Sequence, residues 1–140
     1  MDEMVNLLVD LSHERFSARA LAESLHAIEA GGFSVTRARE VDDAALAWID
    51  DEFGGTWSSE VFAGSAAVAR FGKAFAGFAA YGARDLRFGW LRGLGAHEGV
   101  GIFGPFGVSK SFRGSRAGPQ LLIAALASLR ELGYSSALIP

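Results

Sequence analysis

Between Gly99 and Gly118 three overlapping glycine patterns compete for one kind of chemistry, the cradling of a phosphate by backbone N–H groups at a helix start. Gly99-Val100-Gly101-Ile102-Phe103-Gly104 has the letters of a dinucleotide fingerprint, but that motif must open a helix, and here Gly104-Pro105 is followed by more strand. Gly104 to Ser111 misses a Walker A loop by one residue. Ser109 stands where the second glycine belongs before Lys110-Ser111, and Phe112-Arg113-Gly114 starts the required helix poorly. The third pattern, Arg113-Gly114-Ser115-Arg116-Ala117-Gly118, lies between a kinked strand and the clearest helical pattern in the chain. Such a turn presents unpaired N–H groups and the positive end of a helix dipole. Pro119 suits the first helical turn, where its missing N–H costs nothing, and Arg113 and Arg116 supply charge for a diphosphate. The same letters also fit an ordinary solvated loop carrying two surface arginines.

Other residues offer weaker chemistry. His97-Glu98 has the types of a proton relay or a metal pair, yet a single His and Glu in a glycine-rich loop lack ligand spacing and read as surface. Asp50-Asp51-Glu52 opposes the dipole at a helix C-terminus and reads most simply as a solvated face. Tyr81 and Tyr134 read as core or edge aromatics. Gly104-Pro105, inside an otherwise apolar strand, marks a bulge that frees backbone N–H groups around Phe106, Gly107 and Val108 from ladder pairing, or else only shapes the sheet.

The elements that must position these groups follow from periodicity. Val5 to Leu11 has strand length, and Ser17 caps a helix with Leu21, Leu25 and Ile28 on one face, closed by Gly31-Gly32. Phe33 to Val41 alternates as a half-buried strand. Asp42 is the N-cap of a helix carrying Leu46, Ile49 and Phe53, stopped by Gly54-Gly55. Ala66 to Phe71 and Ala74 to Tyr81, split by Gly72-Lys73, form a hairpin; 82 to 99 is a loop or weak strand. Val100 to Val108 is the kinked strand, Leu122, Ala125, Leu126, Leu129 and Leu132 define the last helix up to Gly133, and Tyr134 to Ile139 is a final strand.

Composition bounds the reading. With 140 residues the chain has room for one core. Half its residues are hydrophobic and mean hydropathy is +0.23, without a long uncharged apolar run, which fits a globular chain rather than a disordered or membrane-spanning one. A formal net charge of −3 argues against whole-chain attraction to nucleic acid or anionic lipid, so any anion site is local. The absence of cysteine excludes disulfides, a thiolate nucleophile and Cys-based metal sites; with no signal-peptide pattern, a cytoplasmic location is the default.

Gly107-Val108, Ser109-Lys110-Ser111-Phe112-Arg113-Gly114, Ala117-Gly118 and Leu121-Leu122 together resemble the acyl-CoA-binding motif of the GNAT superfamily of N-acyltransferases. The family pattern is a strand ending near Val, a short turn, Arg or Gln, then x-x-Gly-x-Gly or Ala, then a helix opening with paired aliphatics. Leu129-Arg130-Glu131-Leu132-Gly133-Tyr134 and Phe75 to Tyr81 look like further stretches of that family, so the resemblance covers 33 to 139, most specifically 107 to 134. It implies an α/β (α+β) fold with a mixed, mostly antiparallel sheet flanked by helices. It also implies an N-acetyltransferase that moves an acetyl group from acetyl-CoA to a small-molecule or peptide amine by direct attack, without a metal. A non-catalytic CoA-binding or assembly module is the alternative.

The resemblance assigns Phe106, Gly107, Val108, Arg113, Gly114, Ser115, Arg116, Ala117 and Gly118 to the cofactor, and makes Glu60, near Trp57, the candidate base. Arg116 stands where the family usually has its first loop glycine, and either crowds the diphosphate or grips it. The family continues past the last strand with a helix and two strands that this sequence lacks. Residues 33–140 therefore read as a C-terminally truncated GNAT-like domain and 1–32 as a junction with an upstream domain, as in a segment of a tandem-GNAT chain. Alternatively the strand at 5 to 11 fills the position beside Ile139, in the same chain or in a homodimer partner, since an uncovered apolar edge invites pairing. With the closing elements absent, the chain alone is expected to bind CoA and to turn over poorly.

Overall fold

The structure, a computed structural model, describes residues 7–38, 41–54, 57, 65–82 and 99–139. Strands β1 (Leu7–Asp10), β2 (Ser34–Ala38), β3 (Ser65–Phe71), β4 (Ala74–Gly82), β5 (Val100–Val108) and β6 (Ser136–Ile139) form one sheet in the order β1-β6-β5-β4-β3-β2. All neighbours are antiparallel except β5 and β6, which the helix α3 (Ala117–Glu131) connects in parallel. Helices α1 (Ala18–Ala30) and α2 (Asp43–Phe53) precede β2 and β3. This is the mixed, mostly antiparallel α/β architecture expected.

Local chemistry explains the boundaries. Ser17 Oγ accepts the Ala20 N–H at 3.1 Å and Asp42 Oδ1 accepts the Ala45 N–H at 2.8 Å, so α1 and α2 each start on a side-chain cap. Gly54, at φ +61°, ends α2 in a conformation that a β-carbon would strain, and Gly72, also at φ +61°, turns the β3–β4 hairpin.

Alternation along β3 divides the core. Ala67 and Ala69 face α1 and α3 with Leu21, Ile28, Leu121, Ala125 and Leu129; Ala66 and Val68 face α2 with Ile49, Phe78 and Phe53. The segment 7–30 belongs to these layers. β1 pairs with β6 from Leu7↔Ile139 to Asp10↔Ser136, and α1 lies beside α3 in one cluster. The strand read at 5 to 11 thus takes the position beside Ile139 within the same chain.

α2 is pinned to β5 by a missing side chain. A β-carbon on Gly107 would lie 2.6 Å from the Phe53 ring, a distance no real contact adopts. Gly107→Ala should therefore destabilise the fold by about 1–3 kcal/mol, the usual cost of overpacking. Urea denaturation of Gly107→Ala, Phe53→Leu and the double variant checks this: the double variant should lose less than the sum of the two single costs.

Candidate functional site

The site starts at the kink in β5. Ala79 pairs with Phe106 and Tyr81 with Phe103, so Gly104 and Pro105 together face the single residue Ala80. That is the expected bulge, with Gly104 at φ +114°. On its other side β5 pairs with β6 only from Val100↔Ser136 to Ile102↔Leu138. The last of these pairs lies one residue before the end of β6 at Ile139. Ser109 N–H donates to Ala76 O at 2.8 Å, so by antiparallel alternation Gly107 shares the β4-facing edge, and Phe106 and Val108 turn their N–H and C=O groups to the opposite edge. The Val108 carbonyl there accepts Arg113 Nε at 3.3 Å.

After β5 the chain makes a 3-10 turn, Lys110–Phe112, closed by Phe112 N–H to Ser109 O at 2.9 Å. Gly114 then takes φ +86°, the only left-handed residue in the turn. α3 begins at Ala117, so Ala117 and Gly118, read above as turn residues, already belong to its first helical turn. Arg116 is the N-cap, at φ −77° and ψ −5°, with no side-chain cap bond. The helix start is close to β5 because Gly118 lacks a side chain: a β-carbon there would sit 3.2 Å from Val108 Cγ2.

These elements enclose a groove of about 340 Å³ lined by Phe106, Val108, Phe112, Arg113, Gly114, Ser115, Gly118, Pro119 and Leu122. Six of the nine residues assigned to the cofactor line it. Gly107 is buried against Phe53, Ala117 is buried, and exposed Arg116 is outside the lining. Phe112, Pro119 and Leu122 were not anticipated. Leu122 follows Gly118 by four residues, and that spacing alone puts both on one helix face. Phe112 is held in place by Phe33 and Phe71, whose ring centroids lie 5.6 Å from its own.

The acidic run also behaves differently from a solvated face. Glu52 Oε1 accepts the Lys110 N–H at 3.0 Å, and the carboxylate also accepts the Ser109 hydroxyl. The sequence holds no signal for this, because the partners are 58 residues apart. The Ser109 and Lys110 hydrogen bonds, with the positive charges of Lys110 and Arg113, hold the Glu52 carboxyl below the ordinary glutamate value. Tyr81 is buried, as expected of a core aromatic, and burial pushes its phenol above the ordinary value although it bonds Ser128. Tyr134 packs half-buried against the same core. Glu60, His97 and Glu98 lie outside the described residues. Among the described residues no cluster of three or more His, Asp or Glu forms a metal centre, and no helix is long and apolar enough to cross a membrane.

No family model and no curated protein matches the sequence. Solved structures do match its fold. L-PGS from Bacillus licheniformis superposes with a TM-score of 0.60 at 14% identity, over 96% of this chain and 45% of that one. The glucosamine N-acetyltransferase region, GCN5-related, of a fungal multi-domain GH3 beta-N-acetylglucosaminidase gives 0.66 at 14% identity, over 95% and 17%. The C-terminal DUF2156 domain of a putative lysylphosphatidylglycerol synthetase from Agrobacterium fabrum gives 0.57 at 18% identity, over 95% and 44%. The chain thus spans less than half the length of each of these.

A folded-state carboxyl held below its unfolded value contributes stability that is complete above the unfolded value and is lost as pH falls through the folded one. The Lys110 amide should therefore be well protected from hydrogen exchange above about pH 4.5, the ordinary glutamate value. Protection beyond the intrinsic pH effect should fall on further acidification, and Glu52→Ala should lack it throughout. Exchange measured by NMR across this range checks the assignment.

Proposed function

We propose that this chain, which has the fold of the GNAT superfamily, transfers an acyl group from acyl-CoA to an amine, with acetyl-CoA as the donor. The observation that carries the reading is the coincidence of the β5 edge that faces away from β4 at Phe106 and Val108, the Gly114 turn and the start of α3 around one groove.

The lining suits the donor's two halves. Phe106, Val108, Phe112, Pro119 and Leu122 offer carbon to an extended arm, while the outward N–H groups of Phe106 and Val108 can hold its amides or polarise a carbonyl. Arg113 spends Nε on Val108 O and keeps its terminal nitrogens for a phosphate beside the α3 N-terminus. Bound acyl-CoA would supply the activated thioester. This chain's share is to orient it, exclude water from the apolar wall and place donors at the carbonyl oxygen. Deprotonation of the amine is assigned to Glu60.

Likeness to the putative lysylphosphatidylglycerol synthetase domain favours a second reading, in which the acyl group is aminoacyl and the acceptor a lipid headgroup. CoA affinity separates the two. In the first reading CoA binds the wild type, and Arg113→Ala weakens it by about tenfold or more, since a charged hydrogen bond contributes about 1.5–3 kcal/mol. Calorimetry showing no CoA binding, or equal affinity in both proteins, would remove the assignment. Thiol release over a panel of amines then tests turnover.

A further inference from the structure

Ser109 and Lys110 form the hinge from β5 into the groove's turn, and they are tied from both sides of the sheet. Ser109 is buried, with 7% of its surface exposed, and its N–H is bound by Ala76 O on β4. Its hydroxyl and the Lys110 N–H are bound by Glu52 at the end of α2, on the face opposite α3. The neighbouring residue Phe53 packs on Gly107, which fixes the carboxylate's approach to the strand end. The carboxylate also feels the charges of Lys110 and Arg113. Arg113 lines the groove.

We propose that Glu52 sets the anion affinity of the groove in two opposed ways. It positions the turn by holding Ser109 and Lys110, and it stands as a resident negative charge that an entering phosphate must compete with for Lys110 and Arg113. This rests on the reading of the groove as the site of a phosphate-bearing donor. Glu52 touches no reacting atom; it acts through the turn and through its field.

The two effects separate by substitution. Glu52→Gln keeps an amide oxygen able to accept both hydrogen bonds and removes the charge, whereas Glu52→Ala removes both. Three proteins are titrated with CoA and with inorganic pyrophosphate at low and high salt, and Lys110 amide exchange is followed in each. The glutamine variant should bind about three- to tenfold tighter than wild type at low salt, as expected for loss of one negative charge that acts on Arg113 through a high effective dielectric. That gain should shrink as salt screens the field, which a purely structural role would not produce. Its Lys110 amide should stay protected. The alanine variant should lose that protection and bind more weakly than the glutamine variant.

Equal affinity of wild type and Glu52→Gln for both ligands would overturn the charge effect, and Lys110 exchange that is the same in wild type and Glu52→Ala would overturn the positioning effect. If neither ligand binds any of the three proteins, the donor-site reading fails and the charge effect falls with it, while the exchange data still decide the positioning effect.

Discussion

β5 pairs with β4 across a bulge, and the site depends on how that pairing turns the backbone of Phe106 and Val108 to the strand's other edge. Val100 to Ile102 pair with β6, and pairing with β4 runs from Ile102 to Val108. At Gly104-Pro105 the ladder breaks: proline has no N–H to offer, and two residues must fit opposite one. Backbone polar groups within a folded domain demand partners, so the Phe106–Val108 edge is a structural debt that side chains, solvent or a ligand must settle. Arg113 settles one part of it, at the Val108 carbonyl.

Holding α3 close to the sheet requires a thin layer on one face. The strands and helix that meet there are rich in alanine: Ala67, Ala69, Ala76 and Ala79 from the hairpin, Ala124, Ala125 and Ala127 from α3. Gly77 completes the pattern, since a β-carbon there would come within 3.0 Å of Leu121 and 3.1 Å of the Gly107 carbonyl. Small side chains let α3 lie close, and Gly118 carries its first turn onto Val108. The opposite face does the reverse. Trp48, Phe53, Phe75 and Phe78 stack and tilt against one another under α2, a bulky layer that anchors β5 from behind. One face sets the distance between strand and helix, and the other resists displacement of the strand.

What could be read from the residues alone was what neighbours in sequence decide. Ser17 and Asp42 announce helix starts, Gly54 and Gly72 announce left-handed turns, and Gly104-Pro105 announces a bulge, because each depends on the backbone within a few residues. Pairing between distant segments has no such local signature. The strand at Leu7–Asp10 looked the same whether it was to join this sheet, another domain or another copy, and only its register against Ser136–Ile139 decides. Glu52 is the sharper case. A carboxylate at a helix C-terminus is unfavourable locally, and its partners at Ser109 and Lys110 become neighbours only when α2 and the end of β5 meet across the sheet. Phe112 is similar: its aromatic companions Phe33 and Phe71 come from the α1–β2 corner and the hairpin tip.

The departure at Arg116 shows how side chain and backbone divide the work in the turn. A glycine is indispensable only where the chain must take a positive φ or where a β-carbon would collide. Arg116 meets neither condition, since its φ of −77° and ψ of −5° suit any residue and it stands exposed at the N-cap. The positive φ falls instead on Gly114 and the close approach on Gly118. Two glycines therefore suffice to build the turn, and position 116 is released to carry charge at the helix end. The net charge of the chain is −3, so cations at the turn act over a short range against an acidic background rather than steering from afar. Under those conditions the strength of an anion site is set by the charges within a few ångströms of the groove. The same turn backbone can thus serve ligands of different charge as its flanking side chains change.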